Sequence, residues 1–185
     1  MDHPDFLKEI ITSERVSVLE LSRAHSDEWY IITDDAGFMK LCRALHKRLD
    51  SAVMVFFAED LRASSGKFAL YCVFLDEEER SWITVRQDIA QGREEFSSLA
   101  KDIYSASLFE REIKEMFGLQ PQGNPDLRSL KLHEEIWPKN NFPLRKDFTA
   151  PKEKAGDVRD QFKRVEGEGI FEVPVGPVHA GIIGP

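Results

Sequence analysis

The chain has 185 residues, of which 42% are hydrophobic and 31% charged, and its formal net charge is −8. An acidic chain with scattered basic residues does not suit a phosphate backbone, which argues against nonspecific nucleic-acid binding. No apolar run approaches the roughly 18 to 20 residues of a membrane-spanning helix, and Met1 to Lys8 lacks the apolar core of a signal peptide. We therefore expect a cytoplasmic protein that reaches a membrane only through a partner.

The first half of the chain alternates helix and strand patterns. A short amphipathic helix is predicted over residues 5–11, and strands are predicted over 16–18 and 29–32. Asp34 or Asp35 can cap the next helix, whose apolar residues keep helical spacing: Phe38, Leu41, Cys42, Leu45 and Leu49. Both cysteines, Cys42 and Cys72, lie among apolar residues, which favours buried, reduced thiols over a disulfide or a metal pair.

Three further strands are predicted over residues 52–58, 68–75 and 81–85. The acidic run from Asp76 to Glu79 falls in a turn, where water relieves its charge repulsion. The order helix, two strands, helix, three strands, helix predicts an α+β domain over residues 1–118. The domain is predicted to have two layers, with the helices packed on one face of a mixed β-sheet.

The last predicted helix runs from Leu99 to Phe117 and ends at Gly118. Its apolar residues recur at steps of three and four: Leu99, Ile103, Ala106, Phe109, Ile113, Met116 and Phe117. Glu110 lies at the edge of this stripe, so its carboxylate needs a partner, and Arg128 and Arg145 are the candidates. Four other charged residues are expected to face solvent, with Glu110–Lys114 and Arg111–Glu115 as weak pairs along the helix: Arg111, Glu112, Lys114 and Glu115.

Composition changes at Gly118. Eight of the nine prolines follow it, and eight of the eleven glycines lie at or after it, which prevents long helices. Residues 119–150 are therefore predicted to form an extended arm that is ordered by what it lies against. Residues 151–164 are predicted to be a charged linker.

Three sequence blocks identify a family resemblance. They are Glu110–Gly118 (EREIKEMFG), Asn124–Arg128 (NPDLR) and Pro143–Phe148 (PLRKDF). In this order they resemble the signature of the 30 kDa-type subunit of NADH-quinone oxidoreductase, which is respiratory complex I. The family usually has Asp at the position of Glu115 and His at those of Asn124 and Phe142, and a packing role survives these differences.

The resemblance implies a noncatalytic structural subunit without a flavin, iron–sulfur cluster or metal of its own. Such a subunit holds the neighbouring large subunit for electron transfer near the quinone-side cluster. The implied arm-docking and partner-docking residues are Glu110, Arg111, Glu112, Asp126, Arg128, Arg145, Lys146 and Asp147. The clusters, and nickel-iron or flavin, are then expected in partner subunits.

Residues 165–185 carry a second resemblance. They are similar to the opening of the large subunit of energy-converting nickel-iron hydrogenases of the formate-hydrogenlyase type, in which a domain of the 30 kDa type often precedes the large subunit. The resemblance implies that this stretch is the start of a truncated or split large subunit. His179 then belongs to a loop bordering a quinone or proton cavity, or is simply an exposed tail residue.

The two resemblances together imply a docking subunit or domain of a membrane-associated redox complex, in the hydrogenase branch. Its expected partners are a large (D-like or hydrogenase) subunit and an iron–sulfur subunit, at the inner face of the cell membrane. One alternative is a free-standing hydrolase or lyase that uses Glu110 or Glu112 with His179, although no sequence feature places these groups together. A generic α+β adaptor is a third interpretation.

Overall fold

The computed structural model describes residues 5–132, 137–151, 167–169, 178–179 and 182–183. The helices and strands in chain order are α1 (Asp5–Ser13), β1 (Val18–His25), β2 (Glu28–Thr33), α2 (Asp35–Leu49), β3 (Val55–Leu61), α3 (Arg62–Ser65), β4 (Lys67–Asp76), β5 (Ser81–Ala90), β6 (Glu95–Ser97), α4 (Ala106–Phe117), β7 (Gln120–Gln122), β8 (Val178–His179) and β9 (Ile182–Ile183). Among these helices, none is long and apolar enough to cross a membrane.

A five-stranded mixed sheet forms the centre of the fold, with strand order β1-β2-β5-β4-β3. Strands β2 and β5 run parallel, whereas the other neighbouring pairs are antiparallel. A parallel pair requires a crossover connection, and α2 lies within the stretch that provides it. The predicted α+β fold with a mixed sheet is confirmed.

One face of the sheet carries the core. Alternate side chains of β4 are fully buried, namely those of Phe68, Leu70, Cys72 and Phe74. Helix α2 packs on this face, and its Phe38 ring lies 5.9 Å from that of Phe56 in β3. Helix α4 packs beside it against β3. Both helices thus bury their apolar stripes on the same face, as predicted.

The start of α2 follows the predicted cap. The Asp34 side chain accepts a 2.7 Å hydrogen bond from the backbone N–H of Gly37. This satisfies one of the N–H groups that the first turn of a helix leaves without a partner. Cys42 of α2 and Cys72 of β4 are buried free thiols, and burial together with the neighbouring Cys72 raises the pKa of Cys42.

Strand β1 differs from the prediction, which placed a short strand over residues 16–18. It runs instead from Val18 to His25 at the edge of the sheet, where most of its side chains are partly or fully exposed. An exposed edge strand needs no apolar alternation, so its sequence carries little strand signal. The predicted strand over 52–58 also shifts, because β3 begins at Val55 and continues to Leu61.

Helix α4 begins seven residues later than predicted. Residues 99–105 form turns instead, in which the N–H of Ile103 bonds to the carbonyl of Leu99 and that of Ala106 to the carbonyl of Ile103. Leu99 and Ile103 remain buried in these turns, so the apolar spacing alone could not distinguish turns from helix. Gly118 ends α4 as predicted, with φ at +74° and its N–H bonded to the carbonyl of Lys114 at 2.9 Å.

Candidate docking site

The described parts of the arm, residues 119–132 and 137–150, both contact α4. Its first residues form β7, which pairs in parallel with β6. The next stretch, up to Leu132, follows the polar side of α4. Beyond residue 137 the arm contacts the C-terminal end of the helix, where the N–H of Leu144 donates to the carbonyl of Met116 at 3.1 Å.

Glu110 is fully buried between α4, the arm and the turn before the helix. Its Oε2 accepts hydrogen bonds from the Ser98 hydroxyl at 2.6 Å and from the Asn124 side-chain amide at 2.7 Å. Its Oε1 accepts from the backbone N–H of Leu99 at 2.6 Å. Burial raises the pKa of Glu110, although these hydrogen bonds act in the opposite direction.

The expected ion pair between Glu110 and an arm arginine does not form. Arg128 pairs with Asp126 at 2.8 Å, and Arg145 donates from Nε to the carbonyl of Phe117 at 2.6 Å. The reasoning that a carboxylate in this position needs partners holds, but neutral donors satisfy it. The donor on the arm is Asn124.

Arg111 faces the arm and not solvent. Only 9% of the residue is exposed. Its Nε and Nη2 donate to the carbonyls of Arg128 and Ser129, both at 2.8 Å, and its Nη1 contacts Asp126 at 3.2 Å. The helical wheel correctly places Arg111 away from the core, but the arm covers that side.

The neighbouring charged residues of α4 also contact the arm. Lys114 donates to the carbonyl of Leu127 at 2.7 Å, and Glu112 pairs with Lys131 at 2.5 Å. Glu115 accepts hydrogen bonds from three successive backbone N–H groups, those of Leu130, Lys131 and Leu132. The prediction of solvent-facing pairs within the helix is therefore wrong, because these groups bond to the peptide backbone and side chains of the arm.

A second set of contacts holds the end of the arm. Arg62 lies between two carboxylates, with its Nη2 at 2.7 Å from Asp60 and 2.6 Å from Asp147. Asp60 is buried and also accepts the backbone N–H of Lys146 at 2.9 Å. The hydrogen bonds from Arg62 lower the pKa of Asp60. No sequence pattern singles out Asp60 or Arg62, since only the fold brings β3 to the arm.

Gly118 lets the arm approach the end of α4 closely. A Cβ atom at this position would lie 2.5 Å from Cζ of Phe142 and 2.8 Å from Nη2 of Arg145. The Arg145 guanidinium stacks over the Phe142 ring at 4.4 Å and lies 5.3 Å from the ring of Phe68. Gly118 is thus required by its positive φ and also by the packing of the arm.

The family model described as "Respiratory-chain NADH dehydrogenase, 30 Kd subunit" matches residues 31–154. This range begins within β2 and contains β3, β4 and β5 of the central sheet, together with α4 and the arm. The chain belongs to this 30 Kd subunit family. The family resemblance stated from the three sequence blocks is thereby confirmed.

Two curated proteins of Escherichia coli (strain K12) are similar to this family member. Formate hydrogenlyase subunit 5 is 34% identical over 131 residues, which are 68% of this chain and 23% of that protein. Hydrogenase-4 component G is 32% identical over 140 residues, which are 73% of this chain and 25% of that protein. The chain thus spans about a quarter of the length of these relatives.

Two solved structures share the fold of the 30 Kd subunit family member. A chain of the membrane-bound sulfane sulfur reductase, described as an archaeal respiratory membrane complex, has a TM-score of 0.61 at 16% identity, covering 78% of this chain and 84% of that one. The trypsin-resistant fragment (1-134) of Nqo5 has a TM-score of 0.56 at 15% identity, covering 66% and 97%.

The catalytic alternative does not fit the surroundings of Glu110. Glu110 is closed to solvent, and Glu112 forms an ion pair with Lys131 on the surface. A general acid or base must reach a substrate, which a fully buried carboxylate surrounded by protein donors cannot do. His179 lies in β8, paired with β9, and its side chain is outside the described residues. Most of 151–164 and 165–185, the predicted linker and large-subunit-like segment, is outside them too.

Proposed function

We propose that this chain is a docking subunit or domain of a membrane-associated redox complex in the hydrogenase branch of the 30 Kd subunit family. Its task is to hold a large subunit of the same complex in place for electron transfer, next to an iron–sulfur subunit. The names of the two Escherichia coli relatives support the hydrogenase branch. Membership of a respiratory-chain subunit family supports the redox assembly.

One observation carries the proposal: the charged side of α4 is used to fix a peptide segment. Arg111, Lys114 and Glu115 all bond to backbone groups of the arm. Such contacts order an extended segment before any partner arrives, which reduces the entropy cost of association. The arm also exposes large apolar side chains, including Leu144 at 53% and Phe148 at 36%, that a partner could cover.

In this proposal the redox chemistry belongs to other chains. Iron–sulfur clusters, and nickel-iron or flavin, are held by partner subunits, and this chain supplies shape and hydrogen-bonding groups. None of the described residues forms a group of three or more His, Cys, Asp or Glu side chains placed to hold a metal. The complex as a whole holds the chain at the inner face of the cell membrane.

Purification of the tagged chain from its native host in mild detergent tests the proposal. We expect a large subunit and an iron–sulfur subunit to elute with it in fixed proportion, identified by mass spectrometry, together with iron measured by elemental analysis. A chain that elutes without any redox protein, at a concentration where it remains folded, would overturn the proposal.

A further inference from the structure

An exposed patch lies beside the start of α4. Tyr104 is 84% exposed, Leu108 58% and Leu127 44%, and the side chain of Arg128 is 84% exposed. Large apolar residues with this much exposure are uncommon side by side in a monomeric surface. We call these four residues the α4 patch.

The fold holds the members of the α4 patch together. The N–H of Ser107 donates to the carbonyl of Tyr104, so the chain turns into α4 with Tyr104 and Leu108 four positions apart on neighbouring turns. Lys114 binds the carbonyl of Leu127, and Arg111 binds that of Arg128. Leu108 lies three positions before Arg111 on the same side of α4, and Arg111 is the residue that binds the arm at Arg128.

The Arg128 guanidinium is fixed in orientation although it is exposed. Its Nε and Nη2 donate to the two oxygens of Asp126 at 2.9 and 2.8 Å. Asp126 is itself held by Arg111 and by the side chain of Asn124, which accepts the N–H of Asp126 at 2.8 Å. Two arginines thus share one carboxylate, so these three groups together carry one positive charge. Beside them Lys114 binds a backbone carbonyl of the arm, and Glu112 is neutralised by its pair with Lys131.

We propose that the α4 patch binds a polypeptide segment of the large subunit, the partner of this chain, in which an Asp or Glu lies beside apolar side chains. The carboxylate complements the surplus charge at Arg128, and the apolar side chains cover Tyr104 and Leu108. Tyrosine and arginine are among the residues most enriched at energetically dominant interface positions. The Nε and Nη2 edge of Arg128 is already paired with Asp126, so the partner carboxylate would approach the Nη1 side of this exposed guanidinium. The inference rests on the proposed function and adds to it the surface and the chemistry of the partner segment.

A matched pair of leucine substitutions tests the proposal. Leu108→Lys introduces a charge into the α4 patch, whereas Leu19→Lys makes the same change at a leucine that is 69% exposed on β1, an edge strand of the sheet. We expect Leu108→Lys to weaken binding of the co-purified partner by roughly tenfold and Leu19→Lys to leave it unchanged. Equal retention of the partner by both variants would overturn the inference while the proposed function stands.

Substitutions of Arg128 separate charge from geometry. Arg128→Glu should abolish retention of the partner. Arg128→Lys keeps the charge but cannot bond to Asp126 and a partner carboxylate through one rigid planar group, so it should reduce retention less. Circular dichroism of each variant checks that the fold is retained. If Arg128→Glu is folded and binds the partner as tightly as the wild type, a partner carboxylate at this position is excluded.

Cross-linking identifies the partner segment directly. A photoreactive benzophenone side chain replaces Leu108 in one sample and Leu19 in the other, each in the assembled complex. The inference predicts that the probe at position 108 alone attaches to a partner peptide containing Asp or Glu beside apolar residues. Attachment to a second copy of this chain, or to no partner peptide, would contradict it. Loss of the partner from the unmodified chain would instead contradict the proposed function itself.

Discussion

The side-chain amide of Asn124 donates a 2.7 Å hydrogen bond to the fully buried carboxylate of Glu110. An arm residue thereby supplies a hydrogen bond to a buried acidic side chain inside the domain. The same carboxylate also accepts bonds from Ser98 and Leu99, in the turn that precedes α4. Folding of the domain and placement of the arm are therefore coupled through one side chain.

Replacing Glu110 by Gln tests this coupling. A Gln amide would point an NH₂ group at donors that now find an acceptor, so we expect the free energy of unfolding to fall by about 1–3 kcal/mol. Urea denaturation measures it. Glu112→Gln is the matched control, because Glu112 forms a surface ion pair with Lys131, and its loss should cost about 0.5 kcal/mol or less. Equal losses in both variants would contradict the assigned role of Glu110.

The pH dependence of stability should have opposite signs for two carboxylates. Burial raises the pKa of Glu110 in the folded state. The stabilisation that Glu110 contributes to the free energy of unfolding is therefore fully present below the pKa of an unfolded Glu, about 4.3. It is lost as pH rises through the raised pKa of the folded state. The Arg62 hydrogen bonds lower the pKa of Asp60 in the folded state. The stabilisation that Asp60 contributes to the free energy of unfolding is therefore present above the pKa of an unfolded Asp, about 3.9, and is lost as pH falls through the lowered pKa.

Unfolding free energies measured across pH test both signs. The difference between wild type and Glu110→Gln should shrink with rising pH, and the difference between wild type and Asp60→Asn should shrink with falling pH. If both differences in unfolding free energy change with pH in the same direction, the surroundings of either Glu110 or Asp60 are wrongly described.

Two glycines with similar φ angles allow the packing of the arm against Gly118 to be measured separately from the backbone cost of an alanine. Gly118 and Gly66 have φ of +74° and +68°, but only a Cβ at Gly118 meets the arm, at Phe142 and Arg145. Both alanine substitutions carry a backbone cost of roughly 1 kcal/mol. Gly118→Ala should cost about 1–3 kcal/mol more, from steric overlap. Thermal or urea unfolding gives both values, and equal losses would show that the arm does not pack against Gly118.

The Arg62 contacts should contribute more to the free energy of unfolding than a surface ion pair does. Arg62→Gln leaves Asp60 buried without its cationic partner, and we expect a loss of about 3 kcal/mol in the free energy of unfolding. Arg93→Gln removes a second Arg–Asp pair, at 2.8 Å from Asp35, in which both side chains are substantially exposed. Its loss should cost about 0.5 kcal/mol. Indistinguishable losses in chemical denaturation would contradict the importance of Asp60 burial.

Much of the fold could be predicted because its signals are local. The apolar spacing of α2, the Asp34 cap and the Gly118 stop are each contained within a few residues. The prediction misplaced strand β1 because an exposed edge strand has no apolar alternation. It misplaced the start of α4 because turns around Leu99 bury the same residues that a helix would.

The sequence blocks contain several of the residues that join α4 to the arm, but they do not indicate which residues contact each other. The sequence blocks identified Arg111 and Asp126 as docking residues, and the structure places them 3.2 Å apart. A helical wheel treats the side away from the core as solvent, so it could not show that the arm covers Arg111. The contacts of Asp60 with Lys146 join residues 86 positions apart, and no sequence spacing indicates such a pair.

Arg111 tests the central claim most directly, because its guanidinium donates three hydrogen bonds to the arm. The measurement is the amount of iron that elutes with the tagged chain from its native host, for wild type and for Arg111→Gln. Circular dichroism confirms in each case that the sheet is folded. If α4 positions the arm for a redox partner, iron elutes with the wild type and falls by roughly tenfold in Arg111→Gln. Equal iron in a folded Arg111→Gln sample would contradict the account.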